Sequence, residues 1–231
     1  MRYVGGKYKL SKHLKPFLIA DRQVNQAYVE PFVGGFNMME HIDGERFAFD
    51  THFYLIELYK AIQNGWEPPA EVTVDYYKAI KNNMGYYDPY LVGFVGFGCS
   101  FAGKWFGGYA RGDNRNFADE SRRNLLKQKP KIEHVNIVQS TYNGIYIPDN
   151  SIIYCDPPYA KSQGYSVGEF NSSEFWNWCL TMSDHGHTVF VSEYEAPQNE
   201  RIVSIWSKEV ASSLDLNTGG KRNIEKLWKI Y

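Results

Sequence analysis

The 231-residue sequence is poor in three features that point to particular classes of protein. Its cysteines, Cys99, Cys155 and Cys179, are odd in number and lack metal-ligand spacing, which indicates neither a disulfide framework nor a zinc site. The formal net charge is only −1, so the chain as a whole does not attract nucleic acid. The apolar stretch 91–99 is too short to cross a membrane. These absences predict a cytoplasmic protein with no metal and no membrane association.

Aromatic residues and locally concentrated positive charge are abundant instead. Aromatic residues make up 16% of the chain, which suits either base stacking or an ordinary core. Residues 104–131 contain eight Lys or Arg against three acidic residues, and residues 2–22 contain six against one. Each basic region is either a phosphate-facing surface or a solvated charged face.

The segment 152–159 organises the interpretation of the rest of the chain. Ile152–Cys155 has the apolar and β-prone composition of a buried strand, and Asp156 follows it directly. Pro157 and Pro158 lack backbone donors and turn the chain out of the strand at that point. Asp156 and Tyr159 are therefore expected together at the carboxyl edge of a sheet, where open α/β sheets bind ligands.

Such a cluster suits transfer of a group to the exocyclic amine of a nucleobase. The Asp156 carboxylate and the Pro157 carbonyl could accept both amine hydrogens, and Tyr159 could stack on the base, a contact worth about 1–3 kcal/mol. The alternative is a strand followed by a proline-rich turn, with Asp156 as an ordinary turn residue. We also expect Cys155 to face away from Asp156 and to be a core thiol.

A second pattern lies nearer the N-terminus. Residues 27–37 read as a strand followed by a turn at Gly34 and Gly35, and residues 46–50 read as a strand that ends at Asp50. Glycines that admit a cofactor and an acid that binds ribose hydroxyls follow the logic of dinucleotide folds. Because the full GxGxxG is absent, a nucleoside without phosphates, such as S-adenosylmethionine, fits better than NAD. A simple tight turn at the glycines is the alternative.

The order of predicted elements indicates an α/β fold with a Rossmann-like, mostly parallel sheet and an antiparallel edge. We assign residues 1–65 and 134–231 to a catalytic domain and 66–133 to an inserted, mainly helical segment. Within the insertion, residues 101–111 interleave aromatics, glycines and cations, which suits either contact with nucleic acid or an aromatic mini-core. Ser11 and Ser172 or Ser173 are the expected caps of two helices.

Several stretches together resemble the Dam-like family of DNA adenine methyltransferases. Residues 2–7 look like the family's N-terminal cofactor loop, and residues 30–35 resemble its glycine loop. Asp50 is similar to its ribose-binding acid, and residues 156–159 are similar to its catalytic Asp-Pro-Pro-Tyr motif. Lys104 and Trp105 depart from the family's Asn-Arg-containing segment that contacts DNA.

The resemblance implies S-adenosylmethionine as cofactor and double-stranded DNA as partner, in the cytoplasm of a bacterial or phage-infected cell. We expect methylation of the N6 amine of a flipped adenine; cytosine N4, RNA adenine, or a catalytically silent DNA-binding protein are the alternatives. The expected catalytic residues are Asp156, Pro157, Pro158 and Tyr159. The expected cofactor contacts are Tyr3, Gly6, Lys7, Phe32, Gly34, Gly35, Asp50, Thr141, Tyr142 and Asp156. The expected contacts with DNA or the base are Tyr165, Lys104, Arg111, Arg115, Arg122 and Arg123.

Overall fold

A computed structural model describes residues 1–158, 170–211 and 222–231 of the chain. Within these residues, seven strands form one sheet in the order β3-β2-β1-β4-β5-β7-β6. The strands are β1 (Tyr28–Glu30), β2 (Arg46–Asp50), β3 (Asn136–Gln139), β4 (Ile152–Cys155), β5 (Thr188–Glu193), β6 (Ile202–Ala211) and β7 (Arg222–Ile230).

The sheet is parallel from β3 to β5, as the composition of its strands predicts. Every residue of the central strands β1 and β4 is buried, because helices and loops cover both faces of the sheet there. On the edge strand β3 only Ile137 is buried, and the other three residues are exposed. Strand β7 runs antiparallel to both β5 and β6, with a bulge between Ser204 and Trp206. The predicted mixed α/β sheet with an antiparallel edge is confirmed.

Six α-helices accompany these strands in the described residues. Two predicted caps are wrong. Ser11 is the first helical residue and its hydroxyl donates to the Tyr8 carbonyl. The last helix is capped by Asn171, not by Ser172 or Ser173. The side-chain oxygen of Asn171, one residue before the helix begins, accepts from the Glu174 N–H. The helices are α1 (Ser11–Ile19), α2 (Phe53–Gln63), α3 (Val74–Asn82), α4 (Pro89–Gly93), α5 (Phe117–Ile132) and α6 (Ser172–Asp184).

The segment between α2 and β3 is mainly helical, and its helix α4 packs tightly on α2. Helix α4 continues into a π-helical turn at Phe94–Gly98. A Cβ on Gly93 would lie 2.1 Å from the Tyr54 carbonyl oxygen, so only glycine permits this approach of α4 to α2. No helix in the described part of the chain is long and apolar enough to span a bilayer.

The strand order brings the carboxyl ends of β1 and β4 together. Strand β1 pairs in parallel with β2 on one side and with β4 on the other, so the connections from β1 and β4 leave toward opposite halves of the sheet. A crevice opens at such a switch point, and it is where open α/β sheets bind ligands. Asp50 ends β2, and the segments that follow β1 and β4 at the same edge contain Gly34 and Asp156.

Candidate active site

Asp156 follows β4 directly and lies at the carboxyl edge of the sheet. Its side chain is 21% exposed, whereas Pro157 is buried and Pro158 is half-buried. The preceding Cys155 is fully buried, and burial raises the pKa of its thiol well above the ordinary value, which confirms its interpretation as a core residue. Two residues expected here, Tyr159 and Tyr165, lie outside the described residues.

The ammonium of Lys7 is the closest charged partner of Asp156 in the described residues. Lys7 Nζ lies 2.8 Å from Asp156 Oδ1 and 3.4 Å from Glu225 Oε1 on β7. Burial alone would lower the pKa of Lys7, but the two carboxylates outweigh burial and the pKa is raised. Lys7 is thus a buried, charged group between two acids.

Asp50 ties the end of β2 to the glycine turn after β1. Its carboxylate accepts from the backbone N–H of Gly34 at 3.1 Å and from that of His52 at 2.9 Å. Burial raises the pKa of Asp50, and these backbone hydrogen bonds oppose the rise. A carboxylate has about four lone-pair sites, so Asp50 retains acceptor capacity for the hydroxyls of a ribose.

The glycines of both loops make room for other parts of the protein. Gly34 has φ +48°, and a Cβ there would lie 2.8 Å from Tyr3 Cε1. A Cβ on Gly35 would lie 2.8 Å from Tyr3 Cβ, and one on Gly6 would lie 2.4 Å from Asn37 Nδ2. The small residues therefore allow the N-terminal loop to lie directly on the turn that follows β1.

Glu30 adds a second buried carboxyl group beneath this edge. It ends β1, it is 3% exposed, and its Oε1 has no hydrogen-bond partner. Burial raises the pKa of Glu30 well above its ordinary value. Tyr28 lies near enough to oppose this rise, although its hydroxyl lacks hydrogen-bond geometry to Glu30. Glu30 is therefore protonated well above the pH at which an exposed glutamate ionises.

Aromatic rings line the other side of the turn. Phe32, after β1, packs at 5.6 Å between ring centroids on Tyr142, which follows β3. Phe170 and Phe175 complete the group with centroids 5.9 and 5.6 Å from that of Phe32. Thr141 is exposed beside them. The expected cofactor residues after β1, β2 and β3 thus lie along one edge.

Most of the basic residues expected to contact DNA are paired within the protein. Arg115 pairs with Glu120 at 2.7 Å, Arg122 with Glu67 at 2.8 Å, and Arg123 with Asp119 at 2.9 Å. Lys104 and Arg111, in contrast, are exposed and have no ion-pair partner among the described residues.

Residues 101–111 contain both a mini-core and exposed cations. The Trp105 ring fills the space above Gly96, where a Cβ would lie 2.2 Å from Trp105 Cζ3. It contacts His52 at 4.3 Å and Tyr54 at 5.4 Å between centroids. Trp105 therefore joins this segment to the residues that follow β2, and Lys104 next to it remains on the surface.

Two residues that sequence reasoning missed belong to the same site. Glu225 pairs with Lys7, and Gln128 of α5 donates from Nε2 to the Gly35 carbonyl at 3.1 Å. A signal for Glu225 exists in the sequence. This residue lies two residues before the buried Leu227, so both side chains point to the core face of β7. A glutamate on such a face needs a cationic partner or must be neutral. Gln128 offers no comparable signal.

A family model matches residues 3–90 of the chain, and it describes the D12 class N6 adenine-specific DNA methyltransferases. The matched residues include the N-terminal loop with Lys7, the glycine turn at Gly34 and the acid Asp50. A search of the curated proteins gave no significant match. Over these residues the chain is similar to the D12 class N6 adenine-specific DNA methyltransferases, which agrees with its resemblance to the Dam-like DNA adenine methyltransferases.

Proposed function

We propose that this protein transfers the methyl group of S-adenosylmethionine to the N6 amine of an adenine flipped out of duplex DNA. The observation that carries the proposal is the position of Asp156 at the switch point of the sheet, beside the turn containing Gly34 and near the end of β2 with Asp50. If the methyl acceptor binds at Asp156 and the nucleoside of the cofactor binds at Asp50, the two molecules meet at this edge of the sheet.

Asp156 has the charge that methyl transfer to an amine requires. The exocyclic amine of adenine becomes cationic as it forms a bond to carbon, and a fixed carboxylate stabilises that charge. In the described structure the same carboxylate binds the cationic nitrogen of Lys7 at 2.8 Å. The Pro157 carbonyl is the proposed second acceptor for the amine hydrogens, with the proton leaving to solvent after transfer.

The residues along the edge of the sheet are proposed to bind the cofactor. S-adenosylmethionine supplies the activated methyl group, and the protein mainly positions it. Asp50 is proposed to accept from the ribose hydroxyls, and Phe32 and Tyr142 to enclose the adenine ring. Tyr3 and the glycine turn are proposed to line the rest of the site.

The helical segment 66–133 is proposed to contact DNA through exposed cations that include Lys104 and Arg111. A cleft of about 360 Å³ lies in this segment and is lined in part by Arg111, Arg115 and Phe117. Flipping a base costs a few kcal/mol, which stacking and amine hydrogen bonds at the site offset. Tyr159 and Tyr165 are proposed to hold the base.

Methyl transfer from tritium-labelled cofactor to unmethylated plasmid DNA tests this function. We expect label in DNA, recovered after nucleoside digestion as N6-methyladenine. Label in N4-methylcytosine, or label that appears only when RNA is supplied in place of DNA, would change the proposed substrate but not the proposed reaction. DNA binding without any transfer of label would instead identify a catalytically silent protein and contradict the proposal.

A further inference from the structure

Glu225 is the second carboxylate on the Lys7 ammonium, and it comes from a strand outside the cofactor and catalytic motifs. Lys7 Nζ lies 3.4 Å from Glu225 Oε1, compared with 2.8 Å from Asp156 Oδ1. The side chains of Lys7 and Glu225 are 8% and 4% exposed. Burying the ionised Lys7 and Glu225 beside the partly exposed Asp156 is costly unless the three groups satisfy one another, so this arrangement requires a reason.

The charge of the group differs from that of a simple ion pair. Lys7 with Asp156 alone would be neutral, and a neutral site stabilises a developing cation poorly. Adding Glu225 leaves one net negative charge among the three groups. An amine that approaches Asp156 also competes with the ammonium already bound at Oδ1, since two cationic nitrogens at one carboxylate repel each other.

We infer that Glu225 is a positioning residue that takes the Lys7 ammonium when the target amine engages Asp156. The hand-over requires Nζ to move by less than the length of one bond, because both acids already lie within reach. Lys7 therefore keeps a buried partner throughout, and its attraction to Asp156 weakens as the amine binds. This inference rests on the proposed function, and it adds a residue that acts through Lys7 rather than on the substrate.

Neighbouring groups favour a hand-over within this cluster. The hydroxyl of Tyr154 hydrogen-bonds to Ser192 at 2.8 Å, which fixes the floor between β4 and β5. Tyr194, after β5, lies near both Lys7 and Glu225, and burial raises the pKa of its hydroxyl, so it stays neutral and adds no charge. Lys7 is therefore the nearby cation that the two acids share in the described residues.

A double-mutant cycle measures this role. Glu225→Gln keeps the size of the side chain and removes its charge, which leaves Lys7 compensating Asp156. We expect kcat on unmethylated plasmid DNA to fall about tenfold, with little change in KM for the cofactor. In a Lys7→Met background the same substitution should change kcat by less than about threefold, because no ammonium remains to be displaced. Glu209→Gln, at an exposed glutamate of β6, is the matched control.

A readout without turnover separates this inference from the proposed function. In protein with ¹⁵N-labelled lysine, the Nζ signal of Lys7 is assigned by its loss in Lys7→Met. Adding unmethylated plasmid-derived duplex DNA with S-adenosylhomocysteine should move that signal toward its position in Asp156→Asn, whereas Glu225→Gln should move it elsewhere.

An equal loss of kcat in both backgrounds, or a Lys7 signal that ignores DNA, would overturn the hand-over. A parent protein that transfers no methyl group contradicts the proposed function instead, and the NMR measurement then decides the role of Glu225 alone.

Discussion

The carboxyl edge of the sheet and the helical segment 66–133 use charge in opposite ways. At the edge, Lys7 is buried and shared between two acids that come from distant strands. In the helical segment, Arg115, Arg122 and Arg123 lie near the surface and pair with neighbouring acids. A count of charges along the chain finds the same excess of five positive charges in residues 2–22, which contain Lys7, and in residues 104–131, so it does not distinguish the two regions. The structure shows that converging strands, rather than an excess of like charge, assemble the candidate active site.

Among the changes that test this contrast, substitution of Asp156 at the edge of the sheet should have the largest effect on methyl transfer. Asp156→Ala removes the carboxylate that faces the proposed amine, and we expect methyl transfer to fall by at least about 100-fold. Tritium transfer to plasmid DNA measures the loss. Asp149→Ala, at an exposed aspartate before β4, should retain the parent rate. An Asp156→Ala protein as fast as the parent would remove the edge of the sheet from the mechanism.

His52 connects the two regions and should make stability depend on pH. Burial lowers the pKa of His52 to about 4 from 6.5, so the unfolded chain binds the proton more readily than the folded one. Stability is therefore fully present above pH 6.5 and falls as the pH is lowered toward 4, by about 2–3 kcal/mol from this residue.

Urea unfolding of the parent and of His52→Asn between these pH values tests the assignment. Asparagine retains an acceptor for the Leu55 N–H at the start of α2 and does not titrate. The variant should therefore lose less stability than the parent on acidification. Parallel curves for the two proteins would show that His52 does not carry the dependence.

The glycine turn should tolerate a methyl group only if Tyr3 is removed. Gly34→Ala places a Cβ 2.8 Å from Tyr3 Cε1 at a positive φ, and we expect a loss of about 1–3 kcal/mol in the free energy of unfolding. In a Tyr3→Ala background the clash disappears and only the cost of the backbone conformation remains. Equal losses in both backgrounds would show that Tyr3 does not limit the turn.

The smallest effects should distinguish the two kinds of surface cation. If Lys104 and Arg111 contact phosphates, alanine at either position should reduce the slope of log affinity against log salt by about 1. Arg123→Ala should change it less, because Asp119 already compensates that guanidinium. DNA affinity measured over a series of salt concentrations provides the comparison. A larger change for Arg123 would place the DNA on the face of α5.

The sequence alone determined the elements and the motifs. Strands β2 and β4 begin and end where the sequence predicted, with Asp50 as the last residue of β2 and Asp156 directly after β4, because alternation and proline act within a few residues. The strand order and the exact helix caps were harder to predict from the sequence. Asn171 and Ser172 are both suitable N-cap residues for the same helix, and the local backbone geometry decides which of them caps it.

Only the tertiary structure decided which charges meet. Lys7 and Glu225 are separated by most of the chain, and the pairing of β7 with β5 brings them together beside Asp156. The same folding pairs Arg122 with Glu67 and leaves Lys104 exposed. The physical reason is that Coulomb interactions depend on distance in space and on burial, and neither can be read from the order of residues.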